Sequence, residues 1–330
     1  MGRSCLFTLE RARDGGVNTM ITGAKIMHTL RNLRHGRSLV IGVPYLWFVL
    51  MALVPVLIIL KISMSEMGPT SVTSMISWAE GWPTLKLNFA SYLFIFNDSL
   101  YVQTYISSIK YAFITTVICL AIGYPFAYFM ARSPKHLQPT LLMMIMLPFW
   151  TSFLLRIYAW KTLLVNNGVI NSLLMDTNIF GWHLHFIDKP LEMMNTPFSV
   201  LVGMVYSYLP FMILPLYATL SKLDLRYLEA AADLGTSPFK AFWLITVPLS
   251  KAGIIAGAML VFIPAVGEYV IPELLGGPNT LMIGRVLWDE YFNNNDWVMA
   301  SAVAVVMMLL ILLPMAIFNK YQAEQLEAKS

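Results

Sequence analysis

The chain has 330 residues, 58% of them hydrophobic and 12% charged, against roughly a quarter charged in an ordinary soluble domain. That balance excludes a soluble globular domain, and a net charge of +4 gives no argument for a nucleic-acid partner. The apolar excess has to face lipid. Two cysteines, Cys5 and Cys119, stand in no metal spacing and make no disulfide framework.

Residues 1–38 lack the short basic start, brief apolar stretch and small-residue cleavage site of a secretory signal. The opening "MGRSCL" has Leu6 where a myristoylation motif needs Ser or Thr, and Met20 is a second candidate start. Apolar runs long enough to cross a bilayer, about 20 residues in helical form, predict six spans. They lie near 39–60, 109–131, 139–160, 198–220, 252–275 and 299–318, giving an all-α, polytopic membrane protein of six transmembrane helices. Tyr45 with Trp47, Tyr158 with Trp160, and Trp297 fall near span ends, where amphipathic rings favour the interface.

Cytoplasmic loops keep Lys and Arg. Arg3, Arg11, Arg13, Lys25, Arg31, Arg34 and Arg37 outweigh Glu10 and Asp14 in the first tail. Arg132 and Lys135 follow the second span, and Lys222, Arg226, Lys240 and Lys251 follow the fourth. The last loop is acidic, with Asp289, Glu290 and Asp296 against Arg285. Both termini and the loop at 221–251 are therefore expected inside. Two long outer segments, 61–108 and 161–197, contain "LNFASYLFIF" and "NNGVINSLLM", read either as surface-lying helices or as loops folded over the bundle. His183 and His185 have no further ligand nearby in sequence, and no metal site is expected from them.

The fifth span holds two carboxylates, Glu268 and Glu273, with Pro264 ahead of the first and Pro272 between them. Intramembrane charges are costly and face a cavity or a partner, and proline removes a helix hydrogen bond. Interrupted backbone at membrane depth is tolerated where it is buried in protein or lines water, so this span is predicted to be discontinuous. Tyr269 and Glu273, four apart, share a helical face if no break intervenes. A pathway role competes with pairing to Arg156, Lys110 or another subunit, and with helix capping. Arg156 itself is expected to snorkel or pair. Pro148, Pro210 and Pro215 read as ordinary membrane-helix prolines that kink spans three and four.

The stretch "EAAADLGTSPFKAFWLITVPLSKAG" (229–253) carries helix signals outside the bilayer. Residues 223–234 suit a helix, Gly235 ends it through a left-handed residue, and Ser237 with Pro238 restarts one as N-cap and first helical residue. Pro248 is expected to close the second helix. Phe239, Phe242, Trp243 and Leu244 need cover, either from the chain's own bundle or from a cytoplasmic protein docked on the hairpin.

Glu229, Ala230, Ala231, three residues, Gly235, nine residues, Ile245, one residue, Val247 and Pro248 resemble the "EAA" signature of permease subunits of ABC-type importers, with Val247 where the pattern usually has Leu. "HGRSLVIGVPYLWF", "LPFWTSFLLRIYAW", "MLVFIPAVGEYVIPELLGG" and "IGRVLWDEYFNNNDW" are similar to permeases of polyamine importers, the putrescine type above all, over about 35–320. The resemblance implies a type I importer bundle at 39–320, flanked by cytoplasmic tails at 1–38 and 321–330, in a bacterial inner membrane. It also implies a coupling hairpin at about 221–251 that seats in an ATP-binding subunit, with Glu229, Ala230, Ala231, Gly235 and Pro248 at the contact. Glu229 would anchor the hairpin by pairing or capping.

Further implied partners are a second homologous permease, two copies of the ATPase and a periplasmic polyamine-binding protein. A diamine is a flexible dication with a greasy middle, so Glu268, Tyr269 and Glu273 are the implied pathway residues, carboxylates for its ends and an aromatic face for an ammonium. The chain contains no Gly-x4-Gly-Lys-Ser/Thr phosphate loop, so no cofactor is expected and ATP belongs to the partner. An intramembrane enzyme would need a cluster such as His-Glu-x-x-His, which is not present. A secondary transporter would show two matching halves with paired broken helices, whereas one interrupted span is read here.

Overall fold

The computed structural model describes residues 40–68, 72–73, 76–79, 82–175, 177–179, 182–184 and 187–327; the basic tail, Cys5 and His185 lie outside them. Chain contacts separate Met1–Lys61 from Ile62–Ser330. In the first unit lies most of α1 (Val40–Ser63), whose apolar residues are exposed along its length. A helix whose apolar side chains are exposed in this way is suited to lipid.

Four helices of the described residues are long and apolar enough to span: α1, α3 (Ser99–Arg132), α7 (Pro197–Leu220) and the apolar part, Trp297–Ala316, of α14 (Trp297–Glu327). Two bent pairs bring the number to six if each is one span. The first pair, Gln138–Trp150 and Phe153–Met175, turns through 85°. It comprises α4 (Gln138–Met146), a 3₁₀ turn Leu147–Trp150, α5 (Phe153–Leu164) and α6 (Val169–Met175). The third span is thus broken where an ordinary proline kink was expected. Pro148 opens the 3₁₀ turn, and the chain goes extended at Thr151. By contrast Pro210 and Pro215 lie inside an uninterrupted α7.

The bundle centre is built by α3, α7 and α11 (Lys251–Val266). Cys119, Met204, Met212, Leu216, Val261 and Ala265 are fully buried there. Buried polar groups in this apolar setting find partners, as they must: Tyr105 Oη donates to Val303 O at 2.8 Å, and Tyr124 Oη lies 2.8 Å from Ser250 Oγ. The second span begins at Ser99, ten residues before the apolar run, because Asp98 caps it by accepting from Leu100 N–H at 2.8 Å.

Both outer segments contain helices, α2 (Ala90–Asn97) and α6. Ile95 of α2 is buried with Tyr101, Ile283 and Val303, so this helix joins the bundle. The all-α reading holds except for two small antiparallel hairpins. One pairs β1 (Ile76–Ala79) with β2 (Trp82–Leu85), Ile76 opposite Leu85. The other pairs β3 (Thr177–Ile179) with β4 (Trp182–Leu184), Thr177 opposite Leu184. In each, two residues of which the second is glycine separate the strands, the spacing of a two-residue hairpin turn.

Candidate functional site: a membrane break and an exposed hairpin

At the end of α11 the chain leaves helical geometry at Gly267 and resumes as α12 (Val270–Leu275). The predicted discontinuity is present, and Glu268 occupies it. Glu268 is buried. Its Oε1 accepts from the N–H groups of Val270 at 3.0 Å and Ile271 at 3.3 Å, while Tyr208 Oη donates to Oε2. A carboxylate on the first N–H groups of a helix satisfies orphan donors and the helix dipole together. Of the roles open to Glu268 in the sequence, helix capping is the one its contacts display.

Glu273, one turn on, is exposed. Its Oε2 lies 2.6 Å from Arg285 Nε, with side-chain exposures of 50% and 28%. The contact is ionic without hydrogen-bond alignment. Glu273 therefore pairs with Arg285, not with Arg156 or Lys110. The same Arg285 Nε is 4.0 Å from Asp289 Oδ2. Tyr269 is the N-cap of α12, directly after the break, and Glu273 N–H donates to Tyr269 O at 3.0 Å. The Tyr269 ring stacks on Trp288 at 4.7 Å, with planes 10° apart, and Trp288 meets Phe292 at 4.1 Å.

Arg285, Trp288 and Asp289 come from the run formed by α13 (Ile283–Trp288) and the π turn Asp289–Asn293. Ile283 N–H donates to Ser108 Oγ at 2.7 Å, fixing the start of α13 to α3. Gly284 presses onto the break: a Cβ there would sit 2.4 Å from Gly267 O and 2.8 Å from Glu268 O. Only a residue without a side chain allows that approach. Sequence reasoning missed Tyr208, which looks like span filler in "VYSYLP", and the pairing role of Arg285. The available signal was a lone cation among carboxylates, twelve residues after Glu273.

Arg156 stands at the other break. Its Nε and Nη1 are buried with no hydrogen-bond partner among the described residues, and the guanidinium lies over Phe149 at 5.0 Å and Phe153 at 5.6 Å. Cation–π contact with these two rings is the interaction it displays. Among the described residues no group of three or more His, Cys, Asp or Glu is placed to hold a metal.

The hairpin at 221–251 is built from local signals. Helix α8 (Arg226–Asp233) starts later than the composition indicated, because Asp224 Oδ1 takes the Arg226 N–H at 3.0 Å and leaves the preceding residues as a turn. Gly235 has φ +74°, as predicted. Thr236 N–H donates to Ala231 O at 2.9 Å and Gly235 N–H to Ala232 O at 2.8 Å, a Schellman termination. Ser237 then caps α9 (Pro238–Ala241) by accepting from Lys240 N–H, with Pro238 at its start. Pro248 does not close this helix. A π turn at Phe242–Thr246 leads into α10 (Val247–Leu249), which contains Pro248, and the bend of 66° into α11 falls at Ser250. The widened turn relieves the proline clash that would otherwise end the helix.

One face of the hairpin is held inward. Ala231, Ala241 and Thr246 are buried, and Phe242 packs edge-on against Tyr124 at 5.4 Å and Tyr128 at 5.8 Å. The other face is apolar and open: Leu234 is 86% exposed, Phe239 74%, Leu244 69% and Trp243 56%. Glu229, in the first turn of α8, and Ala230 are exposed, and Glu229 makes no side-chain hydrogen bond or ion pair among the described residues. A cleft of about 590 Å³ lined by Lys222, Asp224, Tyr227 and Leu249 opens at the hairpin base.

Residues 123–327 match the family described as binding-protein-dependent transport system inner membrane component. The spermidine/putrescine transport system permease protein PotB of Haemophilus influenzae is 36% identical over 290 residues, 88% of this chain and 94% of that protein. PotB of Escherichia coli is 36% identical over 272 residues, 82% and 92% of the two chains. The Escherichia coli inner membrane ABC transporter permease protein YdcU is 30% identical over 245 residues, 73% and 78%. Among solved structures, a bacterial ABC transporter involved in the import of the acidic polysaccharide alginate aligns with TM-score 0.58 at 16% identity, covering 86% of this chain and 95% of its own, which speaks for the fold alone. By its family match and its identity over most of its length, the chain belongs to the binding-protein-dependent transport system inner membrane components, the permease subunits of ABC importers.

Proposed function

We propose that this permease carries polyamine, putrescine foremost, from periplasm to cytoplasm, driven by ATP that a separate subunit binds and hydrolyses. The observation that carries the substrate class is the near full-length 36% identity to permeases named for spermidine and putrescine. The chemistry at the fifth-span break agrees with it. A half-exposed carboxylate, Glu273, stands one turn from a stacked Tyr269–Trp288 pair, which suits an ammonium joined to a methylene chain. Glu268, buried and fully used as a cap, sets the position of α12.

The hairpin at 221–251 is the contact for the ATPase, with Glu229, Ala230, Ala231, Gly235 and Pro248 at or behind its surface. The open apolar face of Leu234, Phe239, Trp243 and Leu244 is suited to a groove in a globular partner. Two ATPase copies, a second homologous permease and a periplasmic polyamine-binding protein complete the assembly, and the loops rich in Lys and Arg place both termini inside six spans. Closure of the ATPases draws the hairpins together and shifts the bundle between outward and inward access. Such a shift requires contacts that differ between the two states.

Uptake of radiolabelled putrescine and spermidine by cells whose only polyamine importer is this one tests the reading. Glu273→Gln is expected to lower uptake roughly 10–150-fold, the loss of one charge-assisted contact of roughly 1.5–3 kcal/mol, with membrane insertion and ATPase binding intact. Unchanged uptake removes Glu273 from the pathway. Failure of the wild type to accumulate either amine overturns the substrate class.

A further inference from the structure

We infer that Arg285 is an internal stand-in for the substrate's ammonium group: it occupies Glu273 when the pathway is empty and withdraws to Asp289 when a cation arrives. The inference rests on the reading that polyamine passes the fifth-span break. Three observations carry it. Arg285 Nε lies 2.6 Å from Glu273 Oε2 without hydrogen-bond alignment, so the pair is held by charge rather than by the two-pronged geometry that makes Arg–carboxylate contacts tight. A second carboxylate, Asp289, is already 4.0 Å from the same nitrogen, one helical turn away on the same element. The guanidinium therefore keeps a counter-ion wherever it sits along that short path.

The third observation is the contrast with Glu268. That carboxylate is buried and committed to Tyr208 Oη and to two backbone N–H groups, so a passing cation would have to break a cap to use it. Glu273 is exposed and, among the described residues, its side chain pairs with Arg285 alone. With a cation on Glu273 and Arg285 on Asp289, each carboxylate has its own counter-ion, so no uncompensated carboxylate is produced at membrane depth, which would be costly. The exchange also selects by charge, because a neutral solute has nothing with which to displace Arg285. The placement of α13 adds a consequence: Gly284, beside Arg285, bears directly on the backbone of Gly267 and Glu268, so displacement of Arg285 acts on the helix that presses on the break.

The test is equilibrium dialysis of radiolabelled putrescine against the purified complex of permeases and ATPases without binding protein. Arg285→Met removes the competitor and is expected to tighten binding about five-fold, the scale of a partly exposed ion pair. Asp289→Asn removes the place to which Arg285 retreats and is expected to weaken binding roughly two-fold. Arg285→Lys, still cationic, falls between wild type and the Met variant. Should Arg285→Met fail to assemble, as judged by size exclusion and ATPase content, the Lys and Asn variants carry the same opposed signs. A purely structural ion pair would make all of them weaken binding. That outcome, or no change in any, overturns the inference. Glu273→Gln run alongside separates the levels: unaltered binding there removes the pathway reading itself, whereas lost binding there with same-sign shifts in the others removes only the stand-in.

Discussion

The hairpin at 221–251 and the break at 267–289 solve opposite problems with opposite means. Every hydrogen bond that shapes the hairpin turn spans five residues or fewer, from Thr236 N–H back to Ala231 O and from Lys240 N–H to Ser237 Oγ. Its apolar outer face is left bare. The break is satisfied at long range: Tyr208 reaches Glu268 across 60 positions and Ser108 holds Ile283 across 175. Here the carboxylates find partners on other elements, Glu268 buried on Tyr208 and Glu273 half-exposed on Arg285. A turn set by neighbours within one helical turn folds from its own sequence, whereas a polar site inside an apolar bundle needs the whole bundle to supply its partners.

The comparison is sharpened most by Glu268→Ala. It orphans Tyr208 Oη and two N–H groups, at about 1–3 kcal/mol for each buried donor left unmet. A large drop in the thermal unfolding midpoint of the purified complex is the expected result. Glu268→Gln, which keeps an acceptor oxygen, loses less. Glu273→Ala removes only a partly exposed ion pair and should cost no more than about 1 kcal/mol. Equal losses from the two alanine variants would erase the distinction between a committed and an exchangeable carboxylate.

That division also explains what was legible in the sequence. The left-handed Gly235, the Ser237 cap and the first-turn Pro238 were readable because each acts on neighbours within one turn. The interruption near Glu268 was readable from two charges and two prolines, Pro264 and Pro272, within ten residues, although helix α11 runs through Pro264 and stops at Val266. The partners of the carboxylates were not readable, since Tyr208 and Arg285 are brought to them by the packing of α7 and α13. Pro248 misled for a physical reason: a π turn just before it absorbs the clash that makes proline a terminator. The 85° bend after Pro148 was missed because one proline does not distinguish a kink from a full break.

A smaller effect separates geometry from contact at the hairpin. Gly235 has φ +74° and nothing within 4 Å of where its Cβ would stand, so Gly235→Val suffers only the backbone penalty, about 1–2 kcal/mol. Association with the ATPase subunit, measured by co-purification, should fall by roughly 5–30-fold, while Gly235→Asn, which tolerates the left-handed region, keeps most of it. A normal complex with valine would detach the turn geometry from docking.

The smallest effect on the chain itself, and the one that most directly opposes the two regions, belongs to Phe239→Ala. This ring is 74% exposed, and its one ring contact among the described residues is Trp243 at 6.5 Å, so its removal should leave the unfolding free energy within about 0.5 kcal/mol of wild type. Phe242, three residues on and edge-on to Tyr124 and Tyr128, has no such freedom, because its truncation opens the core under the hairpin. If the open face is the docking surface, Phe239→Ala still weakens ATPase binding by more than about 1 kcal/mol, as an aromatic anchor in a groove does. Stability and association then separate at one residue, which no purely internal packing role for the hairpin produces. Full ATPase binding by a stable Phe239→Ala chain would instead move the contact to the face carrying Glu229 and Ala230.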